Sequence, residues 1–385
     1  MSFLGFRRSD GSVGVRNYIG IISTVSCAND LSWWIHNQIK GTAPFLHQAG
    51  CSQMKVDLND TARTLISVGK NPNLAGVLLV SLGCEGVPVD LVEEGIAKSG
   101  KPVKRVVIQR AGATSALKEG LELANEMVAE TVMATREEFD DSYLVIGVKC
   151  GASDTTSGLA ANPAIGATCD LVIDRGGTCV FGETTEFMGA EHILARRAIS
   201  PEVAHRIFEI VDRLEKRVIA RGGDMRGGQP TAGNIAGGLT TIEEKSLGAI
   251  SKGGTKPIRK VYEYGDRVEG RGLFIVDSPG REPEFLTALA AAGVQIVLFS
   301  TGLGAPQGFP FMPVIKVTGN PITFTRLQEH IDIFVDLARS GVSNLQSTAQ
   351  TIYQEVLEVA SGRRTKAEIL GYGNFPGLNT LGPVI

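Results

Sequence analysis

The sequence predicts an α/β protein built from two layered α/β domains with mostly parallel sheets. Three observations lead to this fold class. Short apolar runs rich in β-branched residues recur along the chain, segments with helical apolar spacing lie between them, and one glycine-rich stretch interrupts the alternation. Strands that are apolar nearly throughout are typical of parallel sheets, because helices cover both faces of such sheets. The strand–helix alternation then indicates layered α/β packing.

Each predicted strand is a short apolar run bounded by glycine or polar residues, and each predicted helix repeats apolar residues at every third or fourth position. The predicted strands are residues 18–25, 75–82, 104–109, 143–148, 170–174, 178–182, 272–278, 294–301 and 313–319. The predicted helices are residues 30–40, 116–134, 201–221 and 322–339. The glycine-rich stretch follows neither period, so we interpret residues 223–236 as a linker or functional loop. It separates an N-terminal α/β domain with cysteine-bearing loops, residues 1–222, from a C-terminal α/β domain, residues 237–385.

Composition limits the classes of partner. The chain has 385 residues, with 38 Lys and Arg against 41 Asp and Glu, a net charge of −3. Without a basic excess to neutralise phosphates, we expect no nucleic-acid partner. The first residues lack the apolar core of a signal peptide, and no apolar run reaches eighteen residues, so we expect a cytoplasmic protein without a membrane span. Six cysteines in such a chain indicate buried thiols, metal ligands or catalytic groups and not a disulfide scaffold.

Reactive side chains follow several of the predicted strands. In open α/β sheets, ligands bind beyond the carboxyl ends of the strands, so we expect these side chains to collect at one end of the sheets. They are Cys27, Cys84, Glu85, Arg110, Lys149, Cys150 and Glu183, with His47 and Cys51 in a further loop.

Four of the cysteines are candidate metal ligands. Thiolates and imidazoles favour iron or zinc, whereas carboxylates favour harder cations. No CxxC pair is present, so a zinc ribbon is not indicated. The candidate ligands are Cys27, Cys51, Cys84, Cys150 and His47, with Glu85 and Glu183 as carboxylate alternatives. The other interpretation is that each cysteine is a small buried apolar residue, which is how we interpret Cys169 and Cys179.

Two kinds of segment supply candidates for substrate binding. The polar, glycine-rich loop 151–166 contains Asp154, Ser157 and Asn162, which can hydrogen-bond the hydroxyls of a polyol or hydroxy acid; an ordinary turn is the alternative. Arg16 and Asn17 precede the first predicted strand, and Arg110 follows the third. Arginine binds carboxylates in a bidentate manner, so these residues are candidate carboxylate clamps.

Longer motifs extend these observations. GFRRSDGSVGVRNYI, VKCGASDTTSGLAANPAIG, GGTCVFGETTEFMGAEHILARRA and GNIAGGLTTIEEKSLGAISKGGT are the longest, and HQAGC, SLGCE, IQRAGAT, VDSPG, STGLGAPQG and VASGRRTKAE lie between and beyond them. Together they closely resemble the altronate/galactarate dehydratase family over nearly the whole chain. The resemblance implies a lyase that removes water from a small hydroxy-carboxylate with the help of a divalent metal, typically iron. The family also includes the large subunit of sulfolactate sulfo-lyase, which eliminates sulfite.

The resemblance also implies a partner. Complete family dehydratases place a small SAF-type domain ahead of this region, so we expect a separate small SAF-domain subunit here, and an oligomer. Three positions depart from the family pattern: Ile235 replaces a lysine, and Ala113 and Ser52 replace glycines. These departures leave the exact hydroxy acid open.

Removal of water from a 2,3-dihydroxy acid requires a base at C2, a cationic group or metal for the enediolate, and an acid for the 3-hydroxyl. Lys149, Lys252 and His47 are the possible bases, and Glu183 is a fourth catalytic candidate. Fe²⁺, or an iron–sulfur cluster with an open iron, would act as Lewis acid. Two alternatives remain: the sulfo-lyase large subunit, and a non-catalytic ligand-binding subunit.

Overall fold

Two parallel β-sheets form the framework of the structure, a computed structural model that describes residues 1–336, 344–373 and 376–385. The strands are β1 (Ser2–Arg7), β2 (Val13–Gly14), β3 (Tyr18–Ser23), β4 (Thr42–Phe45), β5 (Leu74–Ser81), β6 (Val103–Val107), β7 (Glu137–Asp140), β8 (Val145–Gly151), β9 (Thr178–Phe181), β10 (Ile258–Tyr262), β11 (Gly272–Val276), β12 (Ile296–Thr301), β13 (Val314–Thr318) and β14 (Ile333–Phe334).

Helices cover both sheets. They are α1 (Asn29–Gln38), α2 (Lys55–Gly69), α3 (Val89–Ala97), α4 (Ile108–Ala111), α5 (Ala113–Thr131), α6 (Asn162–Asp174), α7 (Glu191–Ala195), α8 (Pro201–Ile219), α9 (Met225–Gly228), α10 (Ala232–Ala236), α11 (Ile242–Ile250), α12 (Glu282–Ala291), α13 (Pro321–Arg326), α14 (Leu345–Ala360) and α15 (Lys366–Leu370). Among the described residues, no helix combines the length and the apolar character that crossing a bilayer requires.

Strand pairing confirms the predicted fold class. The smaller sheet has the order β4-β3-β5-β6, and the larger has the order β10-β11-β9-β8-β12-β13-β14; all of their pairs are parallel. A third, antiparallel sheet has the order β2-β1-β7. Parallel pairing explains the nearly continuous apolar runs of the strands, since helices cover both faces of each parallel sheet.

The larger sheet corrects the predicted domain boundary. Strands β8 and β9 precede residues 223–236, whereas β10 to β14 follow them, and β8 pairs directly with β12. The segment 223–236 therefore does not separate two sheets; it contains α9 and α10, and Asn234 donates a 2.9 Å hydrogen bond to the carbonyl of Ser153. The boundary between the two parallel sheets falls between β6 and β8 instead.

Two predicted elements have another conformation. The run 170–174 belongs to α6, in which Ile165, Cys169 and Val172 are buried at helical spacing; a short apolar run alone does not distinguish strand from helix. The predicted helix 322–339 ends at Arg326, because residues 333–334 pair with β13 as strand β14. Its last positions, 337–339, lie outside the described residues.

Three apolar layers hold the sheets together. One layer covers the outer face of the smaller sheet with α1 and α5, and another covers the far face of the larger sheet with α6 and α14. The middle layer is shared: Leu65 and Val68 of α2 and Phe285 and Leu289 of α12 belong to one buried cluster with residues of both sheets. Each fully buried apolar side chain of this kind contributes roughly 1.5–3 kcal/mol. The shared layer fixes the position of one sheet relative to the other.

Candidate functional site

Five reactive side chains form a buried cluster at the carboxyl ends of β8 and β9. Lys149 and Cys150 lie on β8, and Glu183 and Glu186 follow β9. Lys252 lies in a single 3₁₀ turn after α11. All five residues are at most 5% exposed. Buried charges persist only when they are paired and hydrogen-bonded, so the arrangement of this acid–base cluster requires explanation.

The two lysines and two glutamates of the cluster neutralise each other through short contacts. Lys149 Nζ donates to Glu183 Oε1 at 2.5 Å, and Lys252 Nζ lies 2.9 Å from both Glu183 Oε2 and Glu186 Oε2. The thiol of Cys150 donates to Glu186 Oε2 at 2.8 Å and lies 3.4 Å from Lys252 Nζ. Glu186, Cys150 and Lys252 therefore lie within proton-transfer distance of one another.

The backbone of Glu183 is left-handed, with φ +68° and ψ 61°. A residue with a side chain adopts this conformation at a free-energy cost of about 1–3 kcal/mol, and such residues are concentrated at functional sites. Here the conformation turns the carboxylate back towards β8, where Oε2 accepts from the backbone N of Cys150 at 3.1 Å. The strained backbone thus positions one carboxylate between two ammonium groups.

Burial and neighbouring charge act together on the pKa values of the cluster. Burial lowers the pKa of Lys149, but the carboxylates of Glu183, Glu282 and Glu186 outweigh it and raise the value above the ordinary lysine range. Burial raises the pKa of Glu186, but the ammonium groups of Lys252, Lys245 and Lys149 outweigh it and lower the value to about 2.

The pKa values of the other three members of the cluster are raised. Burial and the carboxylate of Glu186 both raise the pKa of the Cys150 thiol. Burial and Glu186 also raise the pKa of Glu183, and this increase outweighs the lowering effect of Lys149 and Lys252. The pKa of Lys252 also rises, since neighbouring anionic groups outweigh the effect of burial. At neutral pH the cluster therefore contains a protonated thiol and two ammonium groups as acids.

A cavity of about 300 Å³ opens beside this cluster. Its lining includes Cys150, Asp154, Ser157, Asn162 and Lys245. The volume lies at the lower end of the range of small-molecule sites, which suits a small polar ligand. The ammonium of Lys245 contacts the amide oxygens of Gln229 and Asn234 at 3.1 and 3.3 Å and lies 4.0 Å from Glu186 Oε1. It thus supplies a positive charge at the wall of the cavity.

The three predicted hydroxyl-binding residues come together in this cavity. Asp154 is buried and accepts from the hydroxyl and backbone N of Ser157, and Asn320 donates to its second oxygen at 2.8 Å. Residues 157–161 form a π-helical turn and not an open loop, and π turns are frequent at functional sites. Asn162 is 1% exposed, and its Oδ1 has no hydrogen-bond partner among the described residues. An unpaired buried acceptor is costly unless a ligand supplies a donor.

The ligand atoms of Cys150, Glu183 and Glu186 lie within 4.8 Å of one another, so this group could hold a metal ion. The charges around the group do not favour one. Both oxygens of Glu183 and one oxygen of Glu186 already contact ammonium groups, so an added cation would have to displace Lys252 or lie beside it. The geometry fits proton transfer better than metal ligation.

The four cysteines predicted as one metal site do not come together. Cys150 is buried in the larger sheet, whereas Cys27, Cys51 and Cys84 are exposed in loops after β3, β4 and β5 of the smaller sheet. We refer to these three residues as the tri-cysteine edge. The separation arises because strand β8 joins the larger sheet. Cys169 and Cys179 are buried, as expected for core residues.

His47 and Glu85 stabilise the tri-cysteine edge and have no free ligand atom. His47 Nε2 contacts the carbonyl of Ser23 at 2.7 Å, and Nδ1 accepts from the backbone N of Ala49 at 3.2 Å. Burial lowers the pKa of His47 to about 4, so the ring is neutral. Glu85 accepts from Thr24, Ser81 and the backbone N of Gly83. These contacts argue against His47 as the base and against Glu85 as a metal ligand.

Arg16 and Asn17 do not serve as substrate clamps in this structure. The guanidinium of Arg16 forms a bidentate ion pair with Glu368 at 2.7 and 2.8 Å. Asn17 accepts from Arg8 and donates to the carbonyl of Thr131. Their hydrogen-bonding capacity is used by other residues of the chain. Arg110 differs, because it is exposed at the end of β6 and α4, beside the tri-cysteine edge.

Two residues of the site were not among the sequence candidates. Glu186 lies one helical turn beyond Glu183, a spacing that places both carboxylates near one another, and this signal is visible in GETTE. Lys245 lies in α11 among ordinary surface-type residues, so its sequence context gives no comparable signal. Only the packing of α11 against the turn 157–161 brings it to the cavity.

Comparisons with known proteins agree with the resemblance. Residues 141–380 match the D-galactarate/altronate dehydratase C-terminal domain, and residues 5–132 match the D-galactarate dehydratase/altronate hydrolase second domain. The chain is 38% identical to (2R)-sulfolactate sulfo-lyase subunit beta of Chromohalobacter salexigens, covering 97% of this chain and 96% of that one. It is 35% identical to altronate dehydratase of Bacillus subtilis, covering 95% and 75%, and 30% identical to galactarate dehydratase of Escherichia coli, covering 94% and 73%.

Proposed function

Because the chain belongs to the family of altronate and galactarate dehydratases, we propose that it is a lyase that eliminates water from a sugar acid such as altronate or galactarate. One observation supports this most strongly. A buried acid–base cluster lies beside a cavity whose walls offer hydroxyl-binding groups and one lysine. Elimination takes a proton from C2 and gives a proton to the hydroxyl that leaves C3, and the cluster supplies groups for both transfers.

The residues divide into binding and proton-transfer roles. Lys245 attracts the substrate carboxylate, and the unpaired Oδ1 of Asn162 accepts from a substrate hydroxyl, with Asp154 and Ser157 alongside. The ionised carboxylate of Glu186 can take the C2 proton, and the ammonium of Lys252 beside it can stabilise the negative charge of the enediolate. The thiol of Cys150 lines the cavity and is protonated, so it can donate to the departing hydroxyl.

The product identifies the reaction. Loss of the C2 proton and the 3-hydroxyl gives an enol, which tautomerises to a 2-keto-3-deoxy acid. In D₂O this tautomerisation delivers one deuterium to C3. We expect the purified chain, prepared anaerobically with Fe²⁺, to form such a product from altronate or galactarate. Glu186→Gln should lower turnover by about 10²–10⁴-fold, since it removes the carboxylate that accepts the C2 proton. No keto acid from either substrate, with or without a partner, would contradict the proposal.

Sulfite elimination from sulfolactate is a second candidate function. The specific observation in its favour is coverage: the chain aligns with 96% of the sulfo-lyase beta subunit, but with 75% and 73% of the two dehydratases named above. The same cluster would take the proton next to the carboxylate, and sulfite would leave from the neighbouring carbon. An assay on (2R)-sulfolactate that detects free sulfite separates the two candidates.

We further propose that the chain acts with a small SAF-domain subunit. Two observations support this proposal. The sulfolactate sulfo-lyase relative is named as a beta subunit, and about a quarter of the Bacillus subtilis dehydratase lies outside its alignment with this chain. A partner that closes over the cavity would exclude water and complete the site. Titration of candidate small subunits, followed by turnover and light scattering, should give a complex of higher activity. Full activity of the isolated chain, unchanged by any partner, would contradict this.

A further inference from the structure

The tri-cysteine edge has no role in the acid–base cluster, and we propose that Cys27, Cys51 and Cys84 together hold an iron–sulfur cluster. The proposal concerns a different sheet from Lys149 and Lys252, so it does not depend on the roles given to those residues. Three features support it: the adjacency of the three loops, the contacts that join them, and the exposure of the thiols.

The three cysteines lie in adjacent loops. They follow β4, β3 and β5, which are neighbours in the smaller sheet. The backbone N of Ser26 donates to the carbonyl of Ala49 at 3.0 Å, and the backbone N of Gly86 donates to that of Gly50 at 2.9 Å. Each cysteine is therefore within two residues of a hydrogen bond that joins its loop to another cysteine loop. Ligands from three strand ends thus converge on one edge.

Backbone contacts and side-chain hydrogen bonds join the three loops of the edge to one another. Gly50 has φ +109°, and a Cβ at this position would lie 2.5 Å from the carbonyl O of Thr24, so the two loops touch through backbone alone. Glu85 accepts from Thr24 Oγ1 at 2.7 Å and from the backbone N of Gly83 at 2.5 Å, which links the Cys84 loop to the end of β3. A ligand set held in this way is preorganised.

Exposure distinguishes these thiols from ordinary cysteines. Free cysteine is among the most buried residue types, and the other three cysteines of this chain are indeed buried. The side-chain amide of Gln109 donates to Cys84 Sγ at 3.1 Å. Hydrogen bonds from outer residues to ligand sulfurs tune iron–sulfur centres, so this contact has a direct role if the thiolate binds iron.

The thiols of the tri-cysteine edge are spaced more widely than the ligands of one tetrahedral ion. Four thiolates around one tetrahedral ion lie about 3.8 Å apart, as follows from a metal–sulfur distance of about 2.3 Å. Among the described residues, Cys150, Glu183 and Glu186 form the only group of three ligand atoms within 4.8 Å of one another, so the tri-cysteine edge is wider than a single ion requires. A cluster accepts wider spacing because each thiolate binds a different iron.

The number of cysteines leaves one iron without a thiolate. The chain's other three cysteines lie in or against the larger sheet, so three thiolates are available for a cluster of four irons. Such a cluster, when bound, supplies a Lewis-acidic iron.

A cavity of about 800 Å³ is lined by Asn29 and His47 from the cysteine loops and by Pro279 and Arg281 from the larger sheet. Gly280, between these last two, accepts from Lys149 at 2.9 Å.

The test uses the full chain, reconstituted anaerobically with Fe²⁺ and sulfide. We expect about four irons and four sulfides per chain, a broad visible absorption band, and an electron paramagnetic resonance signal on reduction. Cys27→Ala, Cys51→Ala and Cys84→Ala should each lower the bound iron and sulfide several-fold. One metal ion without sulfide, or no metal at all, would overturn the proposal, as would an intact cluster in all three variants.

Two matched variants separate this proposal from the function of the acid–base cluster. Cys169→Ala removes a thiol in α6 and should leave iron and sulfide content unchanged. Cys150→Ala should also keep the iron–sulfur spectrum, although the proposed function predicts loss of turnover. Far-ultraviolet circular dichroism and thermal melts confirm folding of each variant. Retained turnover in Cys150→Ala with normal spectra would contradict the catalytic role alone, whereas loss of the spectrum in Cys150→Ala would contradict the location proposed for the cluster.

Discussion

Lys252→Met tests whether the charges of the acid–base cluster balance as the structure shows. In the native protein two ammonium groups face two carboxylates, with contacts of 2.5 and 2.9 Å. Removal of Lys252 leaves one buried carboxylate unpaired. Breaking a buried ion pair on one side typically lowers the free energy of unfolding by about 3–5 kcal/mol. The variant can avoid the bare charge only by keeping one carboxyl protonated.

The free-energy cost of keeping this carboxyl protonated gives a second value for the loss of stability. At pH 7 a carboxyl group with an ordinary pKa of 4.5 must be held about 2.5 units above that value, which at 1.36 kcal/mol per unit is about 3 kcal/mol. The two routes agree, so we expect a loss of about 3 kcal/mol at pH 7. In the variant the folded-state pKa of this carboxyl is raised. Its destabilising effect is therefore absent below pH 4.5 and grows as the pH rises towards 7.

Urea unfolding at pH 5 and pH 7 measures the loss in the free energy of unfolding and shows whether that loss grows with pH. Lys316→Met is the matched control, since Lys316 is also fully buried but its ammonium donates to the carbonyl of Gln307 and forms no ion pair with a carboxylate of the residues that the structure describes. Burial lowers the pKa of Lys316 from 10.5 to about 7, so this residue opposes folding fully below pH 7 and progressively less as the pH rises to 10.5. Lys316→Met should leave stability equal or raise it by about 2 kcal/mol, because the orphaned carbonyl offsets part of the gain. A Lys252→Met variant within about 1 kcal/mol of the native protein at both pH values would refute the reasoning.

Three further outcomes follow from the same site. Cys150→Ser should lower turnover by about 10²–10⁴-fold with a stability loss of about 1 kcal/mol, measured by steady-state kinetics and melting; unchanged turnover would exclude the thiol as the acid. Asn162→Ala should raise KM about 5–10-fold with kcat nearly constant, because one substrate hydrogen bond is lost; a fall in kcat alone would contradict the binding role. Native stability should fall by about 3 kcal/mol as the pH drops from 4.5 towards 2, since the lowered pKa of Glu186 stabilises the fold only above its unfolded value, and Glu186→Gln should flatten that part of the profile.

Local sequence was sufficient for the fold class and for part of the site. Lys149, Cys150 and Glu183 follow or end strands of the same parallel sheet, and the rule that ligands bind at carboxyl ends brings them together. Lys252 was one of the three predicted bases, and in the structure its ammonium lies against Glu186. For Lys149, Cys150 and Glu183 the common location depends on features within a few residues of each strand, and the catalytic roles of these residues stay predictions.

The failures share one physical cause. Whether β8 joins the smaller or the larger sheet is decided by pairing with β12, more than 140 residues later, so local sequence does not separate Cys150 from Cys84. Arg16 likewise resembles a substrate clamp, yet its partner Glu368 lies 352 residues along the chain. A side chain's free hydrogen-bonding capacity is a property of its distant neighbours, and the residue type alone does not report it.

The shared middle layer has a consequence for dissection of the chain into fragments. The match to the second-domain family ends at residue 132, which suggests an obvious place to cut. A fragment ending there would bare the face of α2 that packs on α12, including Leu65 and Val68, and would lose strand β7 from the edge of β1. Large uncovered apolar faces promote aggregation. Both sheets should therefore melt in a single cooperative step, and neither half should be recoverable as an independent folding unit.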